Sequence, residues 1–149
     1  MRLSAKSEYA LMAILDMALY GGEGPVQVKS IARRQSIPVR FLEQVMASLK
    51  KGGIVDSFRG AQGGYLLAKS LEEINLAEVL EAVEGPFGQV ESGIGHNGSD
   101  SPQSVRGCIK DIWGEVTHSM IQLLATVTLH EMCERKRKQD RERVLMYHI

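Results

Sequence analysis

The chain has 149 residues, which is enough for one domain or for a small domain with an extension. Hydrophobic residues make up 44% of it, and no run of about 18 apolar residues predicts a membrane span. Glu8 lies where the apolar stretch of a signal peptide would begin, so the sequence predicts no secretion. Two cysteines, Cys108 and Cys133, predict no disulfide framework and favour a reducing, cytoplasmic setting.

The formal net charge is zero, but the charges are unevenly distributed. Residues 1–70 carry ten basic and five acidic side chains (+5), residues 71–105 carry no basic and seven acidic ones (−7), and residues 106–149 carry eight and six (+2). A basic N-terminal half favours a polyanionic partner at that end of the chain. The alternative is that these charges are simply solvated.

Three helices are predicted in the first third of the chain. The first, "SEYALMAILDMALYGG", has Ser7 as a candidate cap and a glycine stop. The second, "VKSIARRQS", is short and is separated by "IP" from the third, "PVRFLEQVMASLKKGG", which begins at a proline and also ends in glycines. The third helix has an apolar face, on which the expected core residues, with Met46 beside them, are Phe41, Leu42, Val45 and Leu49.

A hairpin is predicted next, because "IVDSF" and "GYLLA" are short β-like segments on either side of a glycine-rich loop. Two short helices with a tight turn, followed by a hairpin, are typical of a winged helix-turn-helix. The predicted fold is therefore mainly α with a small β-hairpin wing, followed by a long C-terminal dimerisation helix.

The remaining segments alternate between helix and loop. "NLAEVLEAVEGP" predicts a helix, residues 87–106 a long loop, and "CIKDIWGEVTHSMIQLLATV" a helix with an apolar stripe. A small winged domain has no place to bury so long a stripe, which favours dimerisation over packing within the monomer. The residues expected at the dimer interface are Ile109, Ile112, Trp113, Val116, Met120, Leu123 and Leu124.

A final short helix is predicted to be capped by Thr128, with the charged tail after it in solvent. The chain thus divides into a winged DNA-binding segment (1–70), a connecting helix with an effector or sensor loop (71–107), and a dimerisation segment with a C-terminal helix (108–149).

The third helix is the predicted recognition helix, whose N-terminal part would meet base edges in the major groove. Arg40 can pair with guanine or hold a phosphate, and Gln44, one turn later, can pair with adenine. Glu43 can accept from a cytosine amino group, or it can orient Arg40 or Arg59. Val39 lies on the same exposed face.

The glycine-rich loop is the predicted wing tip, in which Gly60, Gly63 and Gly64 turn the hairpin and keep it thin. Arg59 would reach a narrow minor groove, and Gln62 a sugar or a base. Tyr65 either packs the wing onto the domain or reaches a phosphate, and packing is the favoured role. Further phosphate contacts are predicted for Arg2, Lys6, Lys29, Lys50 and Lys51.

The motifs "MRLSAKSEYAL", "FLEQVMASLKKGGIVDSFRGAQGGYLLA" and "INLAEVLEAVEGP" carry a resemblance to a known family. In the order and spacing of these motifs, the chain resembles the IscR/NsrR/CymR-type family of bacterial winged-helix transcription regulators. The resemblance covers residues 1–87 and continues loosely to about Thr128. It implies a homodimer that binds double-stranded DNA at a pseudo-palindromic promoter site.

Some members of this family hold an iron–sulfur cluster through three cysteines in the loop. Here Cys108 alone remains, and Ser92 and glycines occupy the region of the other two. The resemblance allows a cluster held by Cys108, Glu8 and His96, although cluster iron prefers thiolates. The alternative is a member without a cluster, whose loop binds a small molecule, a partner protein or nothing.

The cysteines allow further interpretations. Cys108 near a helix start suits redox sensing, or else is a small buried apolar residue. Cys133 follows His130 at a spacing that suits a metal, although a packed terminal helix explains it more simply.

A cysteine paired with a histidine such as His118 could imitate the nucleophile and base of an enzyme. The sequence shows no third group that would orient such a pair, so it predicts no enzyme. The rival to a DNA-binding regulator is a winged-helix protein-interaction module.

Overall fold

The computed structural model describes residues 2–87, 101 and 103–148. Within those residues the chain forms six helices and one antiparallel hairpin. In chain order these are α1 (Ala5–Tyr20), α2 (Val28–Gln35), α3 (Val39–Lys51), β1 (Val55–Phe58), β2 (Gly64–Leu67), α4 (Leu76–Glu84), α5 (Val105–Thr126) and α6 (Leu129–Tyr147). The hairpin register pairs Val55 with Leu67 and Phe58 with Gly64.

The core lies where α1 packs against α2, α3, α4 and α6. Apolar side chains three and four residues apart meet there, because that spacing places them on one face of each helix. On α3 the expected apolar face is confirmed for Leu42, Val45 and Leu49, and Met46 joins them, all fully buried. The predicted combination of a mostly helical fold with one small hairpin is confirmed.

Several details differ from the prediction. The N-cap of α1 is Ser4, not Ser7, because the Ser4 hydroxyl accepts from the Ser7 backbone nitrogen and Ser7 lies inside the helix. Phe41 does not lie in the core. It is 36% exposed and packs edge-on against Tyr9, with 5.3 Å between ring centroids. The Phe41 ring therefore lies at the edge of α1 and not in the space between α1 and α3.

The C-terminal helices are longer than expected. Helix α5 begins at Val105 because the Ser104 side chain caps it by accepting from the Gly107 nitrogen. The cap predicted at Thr128 is confirmed, but α6 runs on for 19 residues instead of forming a short helix. Its charged segment stays helical and carries ion pairs three and four residues apart, such as Glu131 with Arg135.

The junction between α5 and α6 is joined to the segment that precedes α4. The Leu76 nitrogen donates to the Val127 carbonyl (2.9 Å), and the Leu129 nitrogen donates to the Ile74 carbonyl (2.8 Å). Leu129 and Cys133 then enter the same core as the N-terminal helices. In the part of the chain that the structure describes, no helix is long and apolar enough to cross a membrane.

Candidate nucleic-acid interface

The turn between α2 and α3 has a left-handed residue at its first position. Ser36 has φ 55°, and the Ile37 nitrogen then donates to the Ala32 carbonyl at 3.0 Å, which closes the end of α2. Pro38 caps α3 in an extended conformation, so α3 begins at once after the turn. The two helices thereby form the tight helix-turn-helix expected from the sequence.

A partly buried ion pair fixes α2 against α1. The side chain of Asp16 is fully buried, and both Nε and Nη2 of Arg34 donate to it, at 2.9 and 2.6 Å to the nearer oxygens. Gln35 donates to the second carboxylate oxygen at 2.7 Å. The bond to Asp16 raises the pKa of Arg34, although burial acts in the other direction. A carboxylate buried with this many donors holds the start of the turn in one position.

The face of α3 that points away from the core is polar and open. Arg40, Glu43 and Gln44 are exposed, and Val39 beside them is 37% exposed. Among the described residues, the side chains of Arg40, Glu43 and Gln44 have no hydrogen-bond or ion-pair partner. Glu43 therefore does not orient Arg40 or Arg59 in this structure, and the three side chains are available to an external ligand.

The glycines of the wing serve different purposes. Gly60 (φ 111°) and Gly64 (φ 152°) have the positive φ that favours glycine. A Cβ on Gly64 would also lie 2.4 Å from the Val26 carbonyl oxygen. Gly63 is needed for space, because a Cβ there would lie 2.5 Å from the Phe58 carbonyl oxygen. Arg59 and Gln62 lie exposed in the loop that these glycines form.

The wing is tethered to the segment before α2. Val26 and Tyr65 exchange two backbone hydrogen bonds of 2.8 Å each, which adds a single-residue bridge to the hairpin. Tyr65 is half-buried and packs against the core, which confirms the packing role predicted for it. The wing and the helix-turn-helix therefore form one connected surface.

The other predicted DNA contacts lie on exposed or partly exposed positions of the same N-terminal half. Arg2 precedes α1, Lys29 lies in the first turn of α2, and Lys51 ends α3 beside Lys50. Lys6, in the first turn of α1, is half-buried.

The predicted dimerisation stripe lies on the outside of the chain. Its exposed members are Ile109 (62%), Ile112 (56%), Trp113 (55%), Val116 (52%) and Leu123 (69%), while Met120 and Leu124 are half-buried. Within α5 only Gly107 and Thr117 are buried. Apolar side chains at such exposure along one helix leave a large surface that water solvates poorly.

The residues considered for a cofactor do not form a site within the described residues. Cys108 and Glu8 are both exposed, and His96 lies outside the described residues. Cys133 is fully buried, and desolvation raises the pKa of its thiol, which disfavours the thiolate that metals need. No three candidate ligands converge in the part of the chain described. The described residues therefore bring together no set of thiolates of the kind that cluster iron prefers.

Two polar clusters were not predicted from the sequence. One is the pair of Asp16 with Arg34, for which an acid within the otherwise apolar face of α1 was the available signal. The other joins Ser4 and Ser7 at the start of α1 to Glu84 at the end of α4. Nothing in the local pattern indicates that second contact, because 80 residues separate Ser4 from Glu84.

A helix-turn-helix with an open polar recognition face, followed by a tethered hairpin, defines the class of winged-helix DNA-binding proteins. Within that class, residues 3–135 match the family model of Rrf2, described as iron-dependent transcriptional regulators. The chain belongs to the Rrf2 family, and it is a DNA-binding transcription regulator.

Relatives and solved structures agree with this assignment. The chain is 36% identical over 141 residues to the HTH-type transcriptional regulator IscR of Pectobacterium carotovorum, covering 94% of this chain and 84% of that protein. It is 36% identical over 132 residues to protein rrf2 of Nitratidesulfovibrio vulgaris, covering 89% and 87%. These relatives are not named as enzymes, in agreement with the prediction that this chain is none.

Two solved structures share the fold over most of their length. CymR of B. subtilis, described as its global cysteine regulator, superposes with a TM-score of 0.69 at 27% identity, covering 91% of this chain and 98% of that one. IscR of T. potens gives a TM-score of 0.67 at 34% identity, covering 91% and 88%.

Proposed function

We propose that the protein regulates transcription as a homodimer that binds a pseudo-palindromic DNA site sequence-specifically. The observation that carries this proposal is the open polar face of α3 beside the tethered wing, which presents Arg40, Gln44 and Arg59 without competing partners. Such a regulator works where the chromosome is, so we place it in the cytoplasm.

The DNA contacts divide by chemistry. Val39, Arg40, Glu43 and Gln44 on α3 enter the major groove, where a guanidinium can pair with guanine and an amide with adenine. The wing brings Arg59 to the minor groove, together with the loop residues Gly60, Gln62 and Gly63. Gly64 and Tyr65 begin strand β2, where Tyr65 packs the wing onto the domain. The basic side chains Arg2, Lys6, Lys29 and Lys51 neutralise phosphates and set the salt dependence of binding.

Dimerisation supplies the symmetry. The apolar stripe of α5 is covered by the same stripe of a second copy, which places two winged units for two half-sites. In this arrangement residues 1–70 bind DNA, residues 71–107 connect and receive the signal, and residues 108–149 hold the dimer. The exposure of Trp113 and its apolar neighbours on α5 supports this part of the proposal.

We further propose that the signal does not depend on an iron–sulfur cluster. The sequence has two cysteines, and Cys133 is committed to the core. Cys108 is then the thiol that can respond to redox chemistry. Anaerobic purification with iron analysis and visible absorption tests this, and a brown protein that contains stoichiometric iron and sulfide would contradict it.

DNA binding is tested by selecting duplexes from a random pool and then titrating salt against the selected duplex. We expect the logarithm of affinity to fall linearly with the logarithm of salt concentration, because counterions leave the phosphates. Arg59→Ala is expected to lower affinity for the selected duplex about tenfold. Lys138→Ala, which removes one positive charge from an exposed residue of α6, is the matched control. Salt-independent binding, or an Arg59→Ala protein that binds as tightly as the parent, would refute the proposal.

The dimer has a built-in probe, because Trp113 is the only tryptophan of the chain and is 55% exposed in the single chain. Burial between two copies of α5 removes its indole from water. We expect its fluorescence emission to shift to longer wavelength as the protein is diluted through the dissociation range. An emission maximum that already indicates exposure at high concentration argues against this interface.

A further inference from the structure

Three side chains join the start of α1 to the end of α4. The Ser4 hydroxyl accepts from the Ser7 nitrogen (3.0 Å) and donates to Oε1 of Glu84. The Ser7 hydroxyl donates to the same oxygen at 2.5 Å. One carboxylate oxygen therefore receives both hydroxyl groups, and the cap of α1 is part of the same network. We call these three residues the Ser–Glu clasp.

The clasp is placed to restrain both helices at their ends. Glu84 is the last residue of α4, and Gly85 follows it with φ 88° and closes the helix. Ser7 is only 2% exposed, so its hydroxyl needs a partner within the protein, and Glu84 provides one. Bonds to a charged acceptor are stronger than bonds between neutral groups, which suits a joint rather than an incidental contact.

The same two turns of α1 also contact the recognition helix. Tyr9, two residues after Ser7, meets Phe41 in an edge-to-face contact with 5.3 Å between ring centroids and 82° between ring planes. Phe41 lies in the first turn of α3, next to Arg40. Paired aromatic rings in this geometry have a defined relative orientation. The start of α1 thus lies between Glu84 and the DNA-reading end of α3.

We propose that Glu84 is a positioning residue for DNA recognition, which holds the first turns of α1 through Ser4 and Ser7 and thereby orients the start of α3 through the contact of Tyr9 with Phe41. The proposal rests on the DNA binding proposed above. Glu84 touches no DNA in this account. It limits the orientations of Arg40 and its neighbours before DNA arrives, which favours the correct site over others.

The direction of the expected effect separates this role from simple electrostatics. In a protein that binds a polyanion, removal of an acidic side chain normally leaves affinity unchanged or raises it. If Glu84 positions the recognition helix, its removal lowers affinity for the correct sequence instead. Glu81, one turn earlier on α4, is exposed and provides the matched loss of one negative charge.

The experiment compares Glu84→Ala with Glu81→Ala on two fluorescent duplexes, one selected by the parent protein and one scrambled. We expect Glu84→Ala to bind the selected duplex about fivefold more weakly, the scale of one ordinary net hydrogen bond. Binding to the scrambled duplex should stay within about twofold, because phosphate contacts carry no sequence information. Glu81→Ala should bind both duplexes at least as tightly as the parent.

Two further variants keep the proposal falsifiable if Glu84→Ala loses stability. Glu84→Gln keeps an oxygen that accepts from the two hydroxyls, and it is expected to restore affinity to within about twofold of the parent. In a Phe41→Leu background, which lacks the ring contact, Glu84→Ala should have less effect, because the two changes interrupt the same route. Circular dichroism melts confirm that each variant is folded at the binding temperature.

The outcomes are distinct. Equal behaviour of Glu84→Ala and Glu81→Ala overturns the positioning role and leaves the proposed function intact, as does an equal loss on both duplexes. A Glu84→Gln protein as weak as Glu84→Ala also overturns it, and so does strict additivity with Phe41→Leu. If the parent itself selects no duplex, the proposed function and this inference fall together.

Discussion

Helices α3 and α5 both have an apolar face, but only the face of α3 is buried within the single chain. On α3, Leu42, Val45, Met46 and Leu49 are each 0% exposed and lie in the core of their own chain. On α5, apolar side chains at the same kind of spacing remain more than half exposed, with Leu123 at 69%. The recognition helix is therefore positioned by the single chain, whereas α5 offers a surface that a second copy can complete. Periodicity alone does not distinguish the two cases, because it reports an apolar face and not its partner.

The largest effect is expected on the buried face of α3. Leu42→Ala should lower the free energy of unfolding by about 3 kcal/mol, because it leaves a cavity in a packed core. Urea denaturation at one fixed protein concentration measures this change. The control is Val105→Ala, which truncates an 80% exposed side chain of α5 outside the predicted dimerisation stripe. A small effect of Leu42→Ala would remove the contrast between the two helices.

The next effect is expected on the exposed face of α5. Trp113→Asp should weaken the proposed dimer roughly 100-fold, as the loss of a central aromatic residue at an interface does. The helical content and the fold of the single chain should persist, since Trp113 is 55% exposed there. Sedimentation velocity over a concentration series measures the dissociation. Gln122→Asp, at another exposed position of α5, introduces the same charge and should leave the dimer in place.

A third prediction concerns the polar face of α3. Arg40→Ala should reduce affinity for the selected duplex by about 1.5 kcal/mol and relax the base preference at one position of each half-site. Lys29→Ala should instead weaken binding to all sequences alike and make the salt dependence less steep. Fluorescence anisotropy with single-base variants of the duplex separates the two. Neither change should alter the dimer. An effect of Arg40→Ala on sedimentation would contradict the assignment of DNA reading to α3 and of dimerisation to α5.

The smallest effect concerns pH. The hydroxyls of Ser4 and Ser7, with Lys6 adding a smaller contribution, hold the pKa of Glu84 below its usual range. The folded protein therefore binds this proton less tightly than the unfolded chain. The stabilisation is complete above the usual glutamate pKa, about 4.3, and is lost as the pH falls through the lower pKa of the folded state. The difference in urea midpoint between the parent and Glu84→Gln should shrink on acidification. A constant difference for Glu84→Gln would contradict this.

Most of the fold follows from short-range patterns. The glycine stops, the cap at Thr128 and the spacing of Leu42, Val45 and Leu49 are local signals, and each predicted its element. Phe41 was placed wrongly in the core, because the period puts it at the edge of the apolar face and only its packing on Tyr9 decides its exposure. The start of α5 was missed because "SVRG" contains a glycine, while the Ser104 cap is sufficient to begin the helix there.

The sequence predicted the residue types of the candidate site, but not the tertiary contacts that hold these residues in place. An arginine and a glutamine one turn apart indicate a reading face, and the DNA roles of Arg40 and Gln44 stay predictions. The tether between Val26 and Tyr65 and the clasp at Glu84 depend on contacts between distant parts of the chain. A single sequence carries no local signal for such contacts, because each needs the tertiary fold before its partners meet.

Leu129 and Cys133 complete the core of the N-terminal half from near the other end of the chain. During synthesis the first helices therefore lack part of their packing until α6 has left the ribosome. Many proteins can fold their N-terminal domain while the rest is being made. Here we expect the DNA-binding surface and helix α5 to reach their final structure together. A nascent chain that ends just after the wing should therefore not yet bind DNA.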